Sequence, residues 1–115
     1  MLNRRFALGT VLLVSALTAQ GASLKLVLFN MTARSDFPGV YLAPPGTDRW
    51  GENQALNDRD KSLDNEERLV LKGVAPGHFD LKLVDRQGRT CIIRNIDLAT
   101  ESSYEIRDEA LTDCK

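Results

Sequence analysis

Short runs of alternating apolar and polar residues, each ended by turn residues, constrain the fold of this chain more than any other feature of its sequence. In the first run, residues 23–30, Leu24, Leu26 and Leu28 fall on one face of an extended chain. A period of two is typical of a half-buried β-strand, and no convincing amphipathic helix follows Ser23. We therefore predict an all-β fold, a small antiparallel β-sandwich or open barrel of about six strands.

The predicted strands lie at residues 23–30, 40–43, 69–71, 78–85, 90–96 and 102–107. Residues 86–89 include a glycine and are typical of a hairpin turn, so the fourth and fifth strands are expected to pair. The first two strands are expected to form a hairpin with a long loop. The residues predicted to form the core are Leu24, Leu26, Leu28, Tyr41, Leu69, Leu71, Phe79, Leu81, Leu83, Ile93, Tyr104 and Ile106.

A proline-stiffened loop follows the second strand and leads to the only tryptophan, Trp50. Pro45-Gly46 fits the two central positions of a type II turn, which needs a positive φ at the second of them. Aromatic residues beside a rigid turn make good interface anchors. The candidate binding residues are therefore Tyr41, Asp48, Arg49 and Trp50. Two interpretations of Trp50 stay open, an exposed recognition residue and a plug over one end of the sandwich.

The first residues follow the order of a signal peptide. Arg4-Arg5 precede an apolar, uncharged run over residues 6–19, and small residues follow at Gly21 and Ala22. The run is shorter than the roughly 20 residues of a transmembrane helix. We predict a signal peptide over residues 1–21 and a single β domain over residues 22–115, periplasmic or secreted and without a membrane span after cleavage. Residues 3–8 are similar to a twin-arginine signal, so Sec and Tat export both stay open.

Charge and cysteine content fit an exported domain. Without Arg4 and Arg5 the chain has 13 basic against 16 acidic residues, a net charge of about −3, so nucleic acid is not an expected partner. Cys91 and Cys114 are the only two cysteines. In an oxidising compartment they are expected to form a disulfide.

No set of residues in the sequence points to catalysis, a cofactor or a metal site. His78 is the only histidine, and both it and Asp80 are expected on the solvent side of a strand, which favours a surface histidine over a catalytic one. Residues 52–68 are strongly charged and are expected to form a mobile surface excursion. Within them, Asp58 to Glu67 place oxygen ligands at alternate positions, as calcium-binding loops do. Leu63 stands where such a loop needs glycine, so a solvated loop is favoured and calcium stays the alternative.

Three segments resemble a group of small exported proteobacterial proteins of unknown function that are described by a Tat-type signal. The shared pattern includes a motif like Leu-Tyr-x-Ser-Pro-Ser-Gly-Ser-Asp-x-Trp-Gly, and the matching segments here are residues 28–30, 40–51 and 79–88. The chain departs from the group at Gly77-His78 and at Ala99, where the group often has cysteines, so the group's disulfide is not carried over. The resemblance implies a fold and a compartment and no chemistry.

These observations favour a non-catalytic periplasmic binding or accessory module, a monomer whose partner is a protein or an envelope component. A rigid sandwich that presents one stiffened aromatic loop is suited to binding. The alternative is a periplasmic inhibitor or immunity-type protein that binds an enzyme, and a small hydrolase is the third hypothesis. No residue in the sequence separates the first two, because they differ only in the partner.

Overall fold

The computed structural model describes residues 25–115, so the predicted signal peptide and Leu24 lie outside the described residues. It contains six strands: β1 (Val27–Asn30), β2 (Gly39–Ala43), β3 (Arg68–Val70), β4 (His78–Val84), β5 (Thr90–Asp97) and β6 (Ser103–Ile106). Two short 3-10 helices, Gln54–Asn57 and Asp108–Ala110, complete the regular structure of this part of the chain. The predicted all-β fold is confirmed.

The strands form two three-stranded sheets, with the orders β3-β1-β6 and β2-β4-β5. The predicted hairpin of β4 and β5 is confirmed, and in its antiparallel register Leu81 lies opposite Ile93. The first sheet is mixed, because β1 pairs antiparallel with β3 and parallel with β6. A purely antiparallel arrangement therefore does not describe it.

The expected hairpin of β1 with β2 is wrong, because the chain leaves β1 for the other sheet and β2 pairs with β4. The crossing begins at Asn30, which is fully buried. Its Nδ2 donates to the carbonyl oxygens of Ser35 at 2.7 Å and Leu63 at 3.0 Å. Its Oδ1 accepts from the backbone N–H of Thr32 at 3.0 Å. These bonds hold the start of the crossing. Because β3 and β6 occupy both sides of β1, no hairpin partner can pair with it.

One hydrophobic cluster takes residues from both sheets. Most of the predicted core residues are buried in it: Leu26, Leu28, Leu69, Leu71, Leu81, Leu83, Ile93 and Ile106. Phe79 and Tyr104 are half-buried and pack against its side. The sequence pattern missed seven further members of the cluster: Phe37, Val40, Leu42, Ala55, Leu63, Ile96 and Leu98.

Tyr41 lies on the outer face of the β2-β4-β5 sheet, so its predicted place in the core is wrong. Its neighbours Val40 and Leu42 are buried, and successive side chains of a strand point to opposite faces. The Tyr41 ring lies beside Gly39, whose cross-strand partner is Val84. The alternation of side chains along β2 therefore places Tyr41 on the outer face, although its ring is largely apolar.

Gly39→Ala is expected to destabilise the fold by about 1 to 2 kcal/mol. A Cβ atom at Gly39 would lie 2.9 Å from Val84 Cβ and 3.1 Å from Tyr41 Cε2, so a neighbouring side chain would have to move. Urea unfolding beside Gly77→Ala measures the effect, because a Cβ at Gly77 would meet only the Phe79 ring, at 3.7 and 3.8 Å. Equal unfolding free energies for the two variants would contradict this packing.

The charged stretch of residues 52–68 contributes to the core. Ala55 and Leu63 are both fully buried, and Leu63 exchanges two backbone hydrogen bonds with Phe37, at 2.9 and 3.0 Å. The expectation of a surface excursion is therefore wrong for these two residues. Leu56, the other large apolar residue of the stretch, stays exposed as expected.

The predicted disulfide between Cys91 and Cys114 is confirmed. The last residues of the chain run antiparallel to the start of β5, where Thr90 and Lys115 exchange backbone hydrogen bonds of 2.8 and 2.9 Å and the N–H of Ile92 donates to Asp113 O at 2.9 Å. The cross-link thus joins two directly opposite residues and ties the acidic C-terminal segment to the sheet. A disulfide fits an oxidising compartment.

Candidate ligand-binding site

The loop that follows β2 begins with the predicted type II turn. The N–H of Thr47 donates to Pro44 O at 3.1 Å, and Gly46 has a φ of 77°. The Thr47 hydroxyl donates to the same carbonyl at 2.8 Å. Because proline fixes one central φ and glycine accepts the positive one, the sequence Pro45-Gly46 sets this turn locally.

A buried carboxylate, Asp80 on β4, holds the turn to the sheet. Its Oδ2 accepts from the N–H of Gly46 at 2.7 Å and from Arg94 Nη1 at 2.8 Å, and its Oδ1 accepts from the N–H of Asn95 at 2.9 Å. The side chain is only 1% exposed. The expectation that Asp80 faces solvent is therefore wrong, because the turn and Arg94 cover it.

These hydrogen bonds determine the ionisation of Asp80. Burial by itself would raise its pKa, but the bonds from Gly46, Asn95 and Arg94, together with the Arg94 charge, lower the pKa below its ordinary value. Two backbone irregularities aim the donors: the register of β4 with β5 shifts between Phe79 and Leu81, and Asn95 has a φ of 56°. Strand alternation cannot reveal such a bulge, and the only signal in the sequence is an asparagine that tolerates positive φ.

Tyr41 and Trp50 meet on the outer face of the sheet, beside one lysine. Lys82 Nζ lies 4.8 Å from the centroid of the Tyr41 ring and 5.0 Å from that of the Trp50 ring, which are cation–π distances. Trp50 is half-buried there, and it is not among the residues of the described chain that pack against the core. The structure thus brings together two of the four candidate binding residues.

The other two candidate residues point to different neighbours. Asp48 is 71% exposed, and its Oδ1 lies 3.6 Å from Arg94 Nη1. Arg49 is exposed and lines a cleft on the other side of the loop. The loop therefore distributes its four candidate residues over two surfaces.

The cleft has a volume of about 660 Å³ and opens between residues 42–54 and residues 72–79, the latter spanning the connection from β3 into β4. Its floor and walls are mostly apolar: Leu42, Pro44, Val74, Ala75, Pro76 and Phe79. A volume within about 300 to 1,000 Å³ and an apolar lining with a few polar groups are typical of ligand sites. None of the wall residues Val74, Ala75 and Pro76 was a candidate from the sequence, where they stand out only as part of a turn.

Two amide side chains satisfy the backbone next to this cleft. Asn53 Oδ1 accepts from the N–H of Val40, which lies on β2, at 2.9 Å. Gln54 binds the backbone of Lys72, which follows β3, twice: its Nε2 donates to the carbonyl at 3.1 Å, and its Oε1 accepts from the N–H at 2.9 Å. The segment after the loop therefore links the two sheets and occupies backbone groups that a further strand would use.

Four exposed polar side chains also line the cleft: Arg49, Glu52, Lys72 and His78. Among residues 25–115, no carboxylate lies within 4.0 Å of the charged nitrogens of Arg49 or Lys72. Their charges are therefore available to a ligand, and within the described part of the chain Glu52 is the one acidic side chain in the lining.

His78 faces Asp97 and not Asp80. The structure therefore does not bring together His78 and Asp80, the pair that a catalytic role would have required. His78 Nε2 lies 3.7 Å from Asp97 Oδ1. The pKa of Asp97 is lowered to about 2, chiefly by hydrogen bonds from the Thr100 hydroxyl and N–H and from the Ala99 N–H. Asp97 is therefore ionised at neutral pH.

The acidic loop brings oxygens of Asp60, Asp64 and Glu67 within 4.8 Å of one another. Asp64 Oδ1 accepts from Ser62 Oγ at 2.7 Å and from Arg86 Nη2 at 3.1 Å, and Glu67 Oε1 accepts from the N–H of Asp64 at 3.1 Å. Two of the three carboxylates thus already have partners inside the loop. The solvated loop stays the prediction, with calcium binding as its alternative.

No family model, curated protein or solved structure matches the chain. The resemblance in strand and loop motifs to exported proteobacterial proteins therefore stays a prediction. No helix among residues 25–115 combines the length and the apolar character needed to cross a membrane.

Proposed function

We propose that this protein is a non-catalytic binding module, exported to the periplasm or secreted, and that the cleft beside Arg49 is its binding surface. The ligand is a protein or another component of the cell envelope. The confirmed disulfide supports an oxidising compartment. The order of charged, apolar and small residues in the first 21 positions supports export.

The observation that carries the proposal is the cleft itself, because its walls are held in place before any ligand arrives. One wall is the loop, which Asp80 anchors through the N–H of Gly46. Another wall contains Pro76 and ends where Gly77 and Leu98 exchange backbone hydrogen bonds of 2.9 and 3.2 Å. A preformed site loses less conformational entropy when it binds.

The test is capture of partners from envelope extract by the immobilised wild-type chain and by variants. Arg49→Ala with Val74→Asp removes a cation and places a charge on an apolar wall of the cleft, so this variant is expected to lose the captured component. Arg34→Ala with Arg59→Ala is the control, because both arginines are exposed and lie outside the cleft. Circular dichroism checks that each variant is folded.

Equal capture by the wild-type chain and the folded cleft variant would contradict the proposal. An enzyme recovered with the wild-type chain would be assayed with and without it, since the inhibitor hypothesis expects its activity to fall. A parallel variant, Trp50→Ala with Tyr41→Ala, tests the aromatic pair on the sheet face. Loss of capture in that variant alone would move the binding surface from the cleft to the sheet.

A further inference from the structure

We infer that the cleft takes an acyl-chain carboxylate, a ligand with a long apolar chain and a single anionic head group. This inference rests on the proposed function and specifies its ligand class. It follows from three properties of the cleft: its apolar lining, its two cations that have no carboxylate partner among residues 25–115, and the occupied backbone beside it.

The apolar lining requires an apolar ligand body. Leu42 and Ala43 form a buried floor, and Phe79 is half-buried against the core. Pro44 and Pro76 are exposed and conformationally stiff, so they keep apolar surface in contact with water when the cleft is empty. Covering this surface with a hydrocarbon chain removes apolar area from water, which is the main favourable term in such binding.

The charge of the cleft requires an anionic head group. Arg49 and Lys72 line it from opposite sides, one on the loop and one after β3, and neither has a carboxylate within 4.0 Å in the described part of the chain. Glu52 is the only acid that the described residues contribute to the lining, so the cations are in excess there. The rest of the chain is net acidic, which makes the local excess selective for an anion.

The occupied backbone argues against an extended peptide. A bound peptide commonly adds a strand to a sheet edge and uses main-chain hydrogen bonds. Here Leu42 O already accepts from the N–H of Gly51 at 2.9 Å, and Gln54 binds both backbone groups of Lys72. A peptide would bring polar main-chain groups that find few partners at this site, whereas an acyl chain brings none.

The experiment is isothermal titration calorimetry of the full chain with dodecanoate below its micelle concentration. Dodecanoate is expected to bind, and Arg49→Ala with Lys72→Ala is expected to weaken binding about tenfold because two attractive charges are lost. Dodecyltrimethylammonium, which has a chain of similar length and the opposite charge, is expected to bind at least about tenfold more weakly than dodecanoate. The variant should remain folded because both side chains are exposed and Gln54 contacts only the backbone of Lys72.

The control is Arg34→Ala with Arg59→Ala, which removes the same charge outside the cleft and should leave dodecanoate affinity unchanged. Absence of dodecanoate binding, equal binding of the cationic amphiphile, or an equal loss in the control would each overturn the inference. If dodecanoate does not bind while Arg49→Ala with Val74→Asp still loses the partner captured from envelope extract, the acyl ligand is wrong and the proposed function stands. If dodecanoate does not bind and that variant also retains the partner, both the inference and the proposed function are wrong.

Discussion

Asp80→Asn is expected to lower the free energy of unfolding by about 3 kcal/mol, because the carboxylate uses both oxygens as acceptors and an amide offers only one. Whichever way the Asn side chain turns, its NH₂ group faces a donor, either the N–H of Asn95 or the pair formed by Gly46 and Arg94. At least one hydrogen bond is therefore replaced by a donor–donor contact, and the negative charge is lost. Urea unfolding followed by circular dichroism measures the change.

Asp48→Asn is the matched control, since it removes the same charge next to the same arginine. Asp48 is 71% exposed and 3.6 Å from Arg94, and Asn tolerates its positive φ. Exposed ion pairs contribute at most about 1 kcal/mol. Similar destabilisation by the two substitutions would show that Asp80 acts only as a surface charge and does not anchor the loop.

The pH dependence of unfolding provides an independent check on Asp80. Its pKa in the folded chain lies below the ordinary value that it regains on unfolding. Between these two pKa values the unfolded chain binds more protons, so the stabilisation is complete above the unfolded value and is lost as the pH falls through the folded value. The stability difference between wild type and Asp80→Asn should thus be constant near neutral pH and shrink below about pH 4. Asp97, whose pKa is also lowered, is present in both proteins and contributes equally.

Removal of the disulfide, by Cys91→Ala with Cys114→Ala, is expected to lower the free energy of unfolding by about 3 kcal/mol. The cross-link spans a sequence separation of 23 residues, and without it the unfolded chain gains the entropy of an open loop. Hydrogen exchange should show where structure is lost. The N–H groups of Thr90, Ile92 and Lys115 bond across this junction, so their protection should fall first.

Reduction of the wild-type chain should reproduce the effect of the double substitution, because both leave the same open loop. An unfolding free energy for the double variant equal to that of wild type would contradict the prediction, as would two reactive thiols in the folded, unreduced wild-type protein. Protection at Leu81 and Leu83 serves as an internal reference. Both are fully buried in the centre of the second sheet, and their protection should fall only with global unfolding.

The sequence by itself determined the local features of this protein. Alternation with a period of two predicted the strands, because a strand with one buried face selects apolar residues at every second position. The type II turn at Pro45-Gly46 was also predictable, because its cause is local: proline fixes φ at the first central position and glycine accepts the positive φ at the second. The disulfide was predictable because only two cysteines exist, and a pair admits one connectivity.

Apart from the β4–β5 hairpin and the disulfide, the tertiary structure alone decided which segments lie next to each other. Asn30 sends the chain into the second sheet through contacts with Ser35 and Leu63, and no local pattern predicts such a crossing. The cleft joins Arg49 to Lys72, which are distant in the sequence. Asp80 is buried because a loop and a β-bulge bring three donors to it. The crossing, the cleft and the burial of Asp80 all depend on long-range packing. Strand periodicity cannot predict such packing, because it indicates which face a residue occupies and not which segment covers that face.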